Sequence, residues 1–455
     1  MKRILMRSGM TPFDNFNPSK VIGENSIGGN SGNLVYAYSI YRALMTEDTQ
    51  IHSTYYRLDY SEREIDNINE KYDCFVIPLA DAFRDGYADS LKSIAKIVRQ
   101  LKIPTVVVGV GLRAPFEPDL KKGFPFDAAV KEFMDAVLEK SAIVGVRGPI
   151  TSEYLTKLGY IDGKHHMVIG CPSMYMYGRD LNIRDTKITK DSLVCVNNSI
   201  ISPENVLNFI DRSTLEFKNS YFIPQRSDEL KMEYFGIPIS NPKYHNKPNY
   251  PSTFEHYLYQ ENRVRFFINF REWNRFLSKA DFCFGARMHG NISSVVSGTP
   301  SLIIPKDARM RELSEYHNLT RVMSNDIHEN TNIWDLIEKA DFKAPCKNQN
   351  KNFDNYRDFL NINGLDNIFK NNDNPKDTPF DKKIAEVNLQ PAVCAYDSCT
   401  REERVMRTKE YIRYANSVVK NLKNKISDQN KIINSKSVKL ALKTSRLLGK
   451  IRKKR

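Results

Sequence analysis

The segment FGARMHGNISSVVSGTPSLIIPKDARMREL, Phe284 to Leu313, decides the predicted fold. It begins in an apolar run, continues through small residues that end at Gly298, and returns to an apolar run at 300–305. Strand, helix and strand in this order are typical of parallel sheets. The segment therefore predicts a βαβ unit, with Arg287 and His289 at the point where the first strand passes into the helix.

The same alternation extends over most of the chain and predicts an α/β fold with two Rossmann-like, doubly wound domains. Strands are predicted at 2–8, 49–56, 73–79, 105–111, 142–148 and 166–172, and then at 192–198, 220–225, 281–286, 300–305 and 321–324. We predict an N-terminal domain, a C-terminal domain, a polar extension with a linker, and a helical tail, at 1–188, 189–345, 346–400 and 401–455. Two such domains in tandem place a ligand cleft between them.

The net charge of +14 is confined to the tail. Residues 401–455 carry 18 Lys/Arg and 4 Asp/Glu, whereas the first 400 residues carry 50 of each sign. Because the body is neutral, no nucleic-acid partner is predicted. The segment 438–455 interleaves Leu and Val with Lys and Arg, which fits either an anionic membrane surface or a solvated or coiled-coil tail.

Seven scattered cysteines and the lack of a long apolar run predict a cytoplasmic protein, with the inner membrane face as a possible site of peripheral attachment. No metal-ligand spacing occurs, and no P-loop, GxSxG or HExxH motif occurs either. We therefore predict no metal ion.

Arg287 and His289 are the predicted catalytic residues. They lie two apart in an extended segment, so their side chains face the same way. A helix N-terminus favours an anion, a guanidinium grips phosphate or carboxylate, and an imidazole moves a proton near neutral pH. Gly290 is predicted to let the ligand approach the backbone, with Asn291 as a further substrate contact. The alternative is that both side chains are satisfied interior groups.

Further substrate-binding candidates lie at other strand-to-helix turns. Asn30 and Asn33 open a helix after a glycine-rich loop, and Arg147 follows a strand and precedes Pro149. In PKDARMREL, a role for Arg309 or Arg311 is predicted because of their nearness to the Arg-x-His element, with Arg309 as the substrate-binding candidate. The same turn holds three more charged residues, Lys306, Asp307 and Glu312, and the alternative is a solvated face.

These motifs resemble the polysaccharide pyruvyl transferase family. The resemblance rests mainly on the segment RMHGNISSVVSGTPSLIIPKDARMRELSEY (287–316). Four shorter segments support it, GGNSGNLV (28–35), IPTVVVGVGL (103–112), AIVGVRGPITSEYLTKLG (142–159) and VIGCPSMY (168–175). The resemblance covers residues 1 to about 365 and implies a fold similar to the GT-B glycosyltransferases. It also implies transfer of the enolpyruvyl unit of phosphoenolpyruvate to a sugar, which leaves a pyruvate ketal.

By this resemblance, Arg287 binds the donor, His289 contacts its phosphate or acts as the acid, and Arg147 matches the family's strand-end arginine. The implied partners are phosphoenolpyruvate, as co-substrate without another cofactor, and an oligosaccharide or lipid-linked sugar of a surface-polysaccharide precursor. Two departures concern the acceptor site. Asn33 replaces the family's Asp, and Cys171 replaces the Asp of an Asp-Pro pair, so Asp81 or Asp85 is predicted to supply a carboxylate.

Two other functions fit the same residues. A GT-B-type glycosyltransferase would use the cleft and the anion site for the diphosphate of a nucleotide sugar. A non-catalytic carbohydrate-binding subunit would need neither Arg287 nor His289.

Overall fold

The computed structural model describes residues 1–239, 244, 247–435, 437–439 and 444. Within this part of the chain, Met1–Ser398 and the segment from Cys399 onward form two compact units. No helix in the described part is long and apolar enough to cross a membrane.

The first sheet is parallel, with the strand order β2-β1-β3-β4. Its strands are β1 Lys2–Met6, β2 Thr49–Ser53, β3 Cys74–Pro78 and β4 Thr105–Val108. A second parallel pair, β5 Val144–Val146 and β6 His166–Val168, continues it through a single bridge between Val110 and Val146. The register pairs Ile4 with Ile51 and Cys74, so the same side chains of neighbouring strands form layers on each face.

The second sheet is also parallel, with the order β11-β10-β7-β8. Its strands are β7 Leu193–Asn197, β8 Asn219–Phe222, β10 Phe282–Gly285 and β11 Ser301–Ile303. A short antiparallel pair joins β9 Arg265–Phe266 to β12 Val393–Cys394. Two parallel sheets with helices between their strands make two Rossmann-like lobes, so the predicted GT-B-like α/β fold is confirmed.

Helices alternate with the strands in both lobes. Those before the second sheet are α1 Pro18–Glu24, α2 Gly32–Leu44, α3 Glu62–Lys71, α4 Ala88–Gln100, α5 Asp127–Leu138 and α6 Pro149–Lys157. Those that follow are α7 Glu204–Leu215, α8 Ser227–Phe235, α9 Tyr257–Gln260, α10 Phe270–Leu277, α11 Met288–Val296, α12 Ala308–Tyr316, α13 Ile333–Lys339, α14 Ala344–Ile362, α15 Pro379–Glu386 and α16 Arg401–Ile433. The predicted βαβ unit of the opening segment corresponds to β10, α11 and β11.

Two predicted segments differ from the structure. The predicted strand 321–324 forms one bridge, between Ile303 and Arg321, before the chain turns. The predicted polar extension and linker contains α14 and α15, and Phe353, Tyr356 and Phe380 from these helices are fully buried in the main core. The linker interpretation is therefore wrong around Phe380, because a few apolar side chains at helical spacing suffice to anchor a largely polar helix. The bounds of the four predicted segments stay a prediction.

Candidate functional site

A cavity of about 620 Å³ lies between the two lobes. Its wall is formed by residues that follow β1, β3, β10 and β11, together with the start of α2. These are carboxyl ends of parallel strands, where ligands bind in open α/β sheets. Five of the predicted site residues line it, namely Arg287, His289, Arg309, Asn30 and Asn33.

The cavity is strongly cationic. Among the described residues, its lining contains seven cationic side chains, Arg7, Arg84, Arg113, Arg226, Arg287, Lys306 and Arg309. The carboxylates of the lining are Asp81 and Asp307. Such an excess of positive charge in a concave site attracts a small molecule that carries several negative charges.

Arg287 lines the cavity, and its positive charge is partly neutralised by a buried carboxylate on the side away from the cavity. Its Nη2 lies 3.4 Å from both carboxylate oxygens of Glu229, and its Nε donates to the Asn198 carbonyl at 2.5 Å. Glu229 is 2% exposed and also accepts from the backbone N–H groups of Gln225 and Arg226. The ion pair fixes the guanidinium in one place, so its position is set before any ligand arrives.

His289 is a neutral imidazole in this site. It is the second residue of α11, 9% exposed, with Nε2 3.8 Å from Cys171 Sγ. Burial, reinforced by Arg147 and Arg309, holds the pKa of His289 well below its usual range. Gly32 makes this packing possible, because a Cβ there would lie 2.8 Å from Nδ1. Of the two roles predicted for His289, the structure favours a neutral hydrogen bond to an anion over proton donation.

Lys306 has an unusual environment in the same wall. Its Nζ donates to Ser202 Oγ at 2.7 Å. Burial, together with Arg287 and Arg309, lowers the pKa of Lys306 to about 7, although Asp307 acts in the opposite direction. An ammonium with this pKa is suited to proton transfer near neutral pH. In the sequence, Lys306 is distinguished only as one of several charged residues in a turn.

Asp81 faces the cavity from the other lobe. Its Oδ2 lies 2.9 Å from Arg84, 3.7 Å from Arg113 and 4.0 Å from Arg309. Burial opposes ionisation, but these three arginines outweigh it and hold the pKa of Asp81 below its usual value. Asp81 is therefore an ionised carboxylate, and of the two predicted candidates it lines the cavity whereas Asp85 does not.

Asn30 and Asn33 line the cavity and also shape the turn before α2. The Oδ1 of Asn30 accepts from the Gly32 N–H at 2.8 Å, and the Nδ2 of Asn33 donates to the Ile27 carbonyl at 2.9 Å. Their side chains thus hold the loop that brings α2 against His289.

Gly290 and Asn291 lie behind the cavity wall. A Cβ on Gly290 would meet Asn197 and Gln225 at 2.7–2.8 Å, so this glycine permits close packing of α11 on the sheet. The amide of Asn291 donates to the Arg287 carbonyl at 2.7 Å and accepts from Ser301 Oγ at 2.9 Å. Substrate contact by these two residues finds no support in the structure, and we interpret both as packing residues.

Arg147 is fully buried and does not line the cavity. Its Nε donates to the Gly109 carbonyl at 2.7 Å, and its guanidinium lies 4.7 Å from the ring centre of Tyr36. Tyr36 does line the cavity, so Arg147 supports the wall from behind. A direct substrate contact by Arg147 likewise has no support.

Sequence reasoning missed four lining arginines, Arg7, Arg84, Arg113 and Arg226. The available signal was their position just after a strand or just before a helix, but many charged residues on protein surfaces share it. Among the described residues, no three histidine, cysteine or carboxylate groups cluster as a metal ion would require. The absence of a metal from the reaction stays a prediction.

No curated protein gives a significant match. Structures with a similar fold include UDP-GlcNAc 2-epimerase from Neisseria meningitidis bound to UDP-GlcNAc, at 12% identity and TM-score 0.41, over 79% of this chain and 99% of that chain. Another is UDP-GlcNAc 2-epimerase from Methanocaldococcus jannaschii in complex with UDP-GlcNAc and UDP, at 12% identity and TM-score 0.42, over 79% and 100%.

The family comparison is more specific. The model of the family described as Polysaccharide pyruvyl transferase matches residues 30–307, which is more than half of the chain. The matched range includes every predicted site residue except Arg309, and Arg309 follows it by two positions. The chain therefore belongs to the polysaccharide pyruvyl transferase family.

Proposed function

We propose that the protein transfers the enolpyruvyl unit of phosphoenolpyruvate to a sugar of a surface-polysaccharide precursor and forms a pyruvate ketal. The observation that carries the proposal is the cavity with seven cationic side chains at the N-terminus of α11. Phosphoenolpyruvate bears a carboxylate and a phosphate on three carbons, so it needs this density of positive charge.

The second lobe is the proposed donor site. Arg287 and Arg309 bind the carboxylate and the phosphate, and the first-turn N–H groups of α11 face the same anion. His289, as a neutral imidazole, donates a hydrogen bond to a phosphate oxygen. The ligand's negative charge also offsets the mutual repulsion of the cations that line the cavity.

Lys306 is the proposed proton donor. Its ammonium gives a proton to the methylene carbon, which becomes the methyl group, and the first sugar hydroxyl forms a C–O bond to the neighbouring carbon. Phosphate leaves with the electron pair of its C–O bond, and the second hydroxyl forms the second C–O bond of the ketal. Of the two hydroxyl protons, one returns to Lys306 and the other leaves with phosphate.

Asp81 is the proposed carboxylate of the acceptor site. Its low pKa makes it a weak base, so its role is to accept a hydrogen bond from a sugar hydroxyl and orient it for attack. This role takes the place of the family carboxylate that Asn33 cannot supply.

The test is an assay of the full-length protein with phosphoenolpyruvate and a panel of oligosaccharide and lipid-linked sugars. Phosphate release that requires an acceptor, with a product heavier by one pyruvate less one water, is the expected result. Release of UDP from UDP-sugars, without any use of phosphoenolpyruvate, would establish glycosyl transfer instead. A binding subunit would show neither reaction, and Arg287→Ala and His289→Ala would leave its cellular function intact.

A further inference from the structure

The C-terminal helix α16 carries an apolar stripe with a regular spacing. Val405, Ile412, Val419, Ile426 and Ile433 recur at every seventh position, and each is between 49% and 57% exposed. Five large β-branched side chains in one exposed row are more apolar surface than a solvated helix normally presents.

The spacing points to a partner that is itself a helix. A row repeated every seven residues drifts by about 20° per repeat around a straight α-helix, so it faces one direction only if the helix supercoils. Such supercoiling occurs when a second helix packs along the row. On a flat surface, Val405 and Ile433 would point in directions that differ by roughly 80°.

Leu422, which lies between two residues of the row, also fits a helical partner. If the row occupies position a of the heptad, position d holds Thr408, Ala415, Leu422 and Gln429. Leu422 is 54% exposed and completes the apolar centre of the row. β-branched residues at a favour two strands over three or four where leucine occupies d, and Leu422 is the one leucine among these four d positions.

We propose that α16 forms a two-stranded coiled coil with the α16 helix of a second copy of this chain. The helix has 33 residues and is about 50 Å long. A contact strip about 10–15 Å wide along it buries roughly 1,000–1,500 Å² over both partners, which approaches the size of a stable interface. This proposal does not rest on the proposed catalytic function.

The charges beside the row make the proposal distinguishable from membrane binding. Positions g and e next to the row hold Arg404, Lys409, Lys423 and Lys425, which are cationic in both copies. Salt screens their mutual repulsion, so the coiled coil becomes more stable as salt rises. Binding of the same cations to anionic lipid weakens as salt rises. The basic segment 438–455 lies mostly outside the described residues, and its predicted membrane association stays a prediction.

The test compares the full-length protein with two charge-matched variants by sedimentation equilibrium at low and high salt. Ile412→Glu/Ile426→Glu changes the row, whereas Met406→Glu/Ser427→Glu adds the same charges at position b. The expected result is a dimer for the unmodified chain and for the control, a monomer for the row variant, and tighter association at high salt. Far-ultraviolet circular dichroism and thermal melting check that the unit Met1–Ser398 stays folded in each variant.

Three outcomes would overturn the proposal. The first is a monomeric unmodified chain at tens of micromolar, and the second is a row variant that still dimerises. The third is a monomeric chain that floats with phosphatidylserine vesicles but not with phosphatidylcholine vesicles and loses this binding in the row variant. That result would show that the row binds lipid rather than a second helix.

Discussion

The two walls of the cavity differ in where the carboxylates that balance their positive charges lie. The first wall, formed by Arg7, Asp81, Arg84 and Arg113, sets arginines against an ionised carboxylate inside the cavity. The second wall, formed by Arg287, His289, Lys306, Asp307 and Arg309, has one counter-ion, Glu229, behind Arg287. Its other carboxylate, Asp307, caps the N-terminus of α12 and lies 3.6 Å from Arg309. Its two proton-exchanging groups are shifted towards their neutral forms.

The difference indicates that the two walls have different roles. The carboxylate of the first wall can accept hydrogen bonds from sugar hydroxyls. The cations of the second wall, which include an ammonium of lowered pKa, can bind and protonate an anion. The predictions below test this difference, from the largest expected effect to the smallest.

The largest effect concerns the counter-ion behind the second wall. Arg287→Ala leaves Glu229 buried without its charge partner, which should lower the free energy of unfolding by about 3–5 kcal/mol. Arg309→Ala is the matched control, because Arg309 is 19% exposed and lies 3.6–4.0 Å from its carboxylates, and we expect a loss below about 1 kcal/mol. Urea unfolding measures both. Equal losses would show that the buried counter-ion does not distinguish Arg287 from Arg309.

The second effect concerns the proton donor. Lys306→Met should lower kcat for ketal formation by about 10²–10³-fold, because general acid catalysis contributes this much. Lys306→Arg keeps the positive charge but not a labile proton, so the KM for phosphoenolpyruvate should stay near its original value while kcat falls. If Lys306→Arg retains full kcat, Lys306 only binds the donor, and the acid lies elsewhere.

A smaller effect is expected in the first wall. Asp81→Asn should lower acceptor-dependent turnover by about 10–150-fold, because a hydrogen bond to a charged group contributes about 1.5–3 kcal/mol. The KM for phosphoenolpyruvate should not rise, since a negative charge has left a cationic site. Steady-state kinetics with each substrate varied in turn separates the effect on acceptor-dependent turnover from the effect on the KM for phosphoenolpyruvate. A rise in that KM would place Asp81 at the donor.

The smallest effect is a pH dependence of the second wall. Lys306 is protonated below its pKa of about 7, so kcat/KM should be level on the acid side and fall by up to tenfold per pH unit above it. Burial also raises the pKa of Glu312 to about 7, so Glu312 titrates over the same range. Lys306→Arg retains Glu312 and should abolish the decline if Lys306 causes it.

Local patterns predicted the second wall better than the first. Arg287, His289 and Arg309 follow two strands in one short segment, so a single βαβ pattern brings them together. Arg7, Arg84 and Arg113 are distributed over three separate loops, and only the parallel order β1-β3-β4 collects those loops at one edge. Glu229 belongs to α8, more than fifty residues before Arg287, and no local pattern relates the two.

The sequence by itself determined the alternation of strands and helices, the position of the Arg-x-His element at a strand end, and the confinement of the excess charge to the tail. These properties depend on residue order over short distances, where hydrophobic period and helix ends act directly. Only the tertiary structure decided that His289 is neutral, that Lys306 lies among cations, and that Gly290, Asn291 and Arg147 lie behind the wall. Those properties depend on burial and on charges from distant parts of the chain, because desolvation and Coulomb interactions act through space rather than along the sequence.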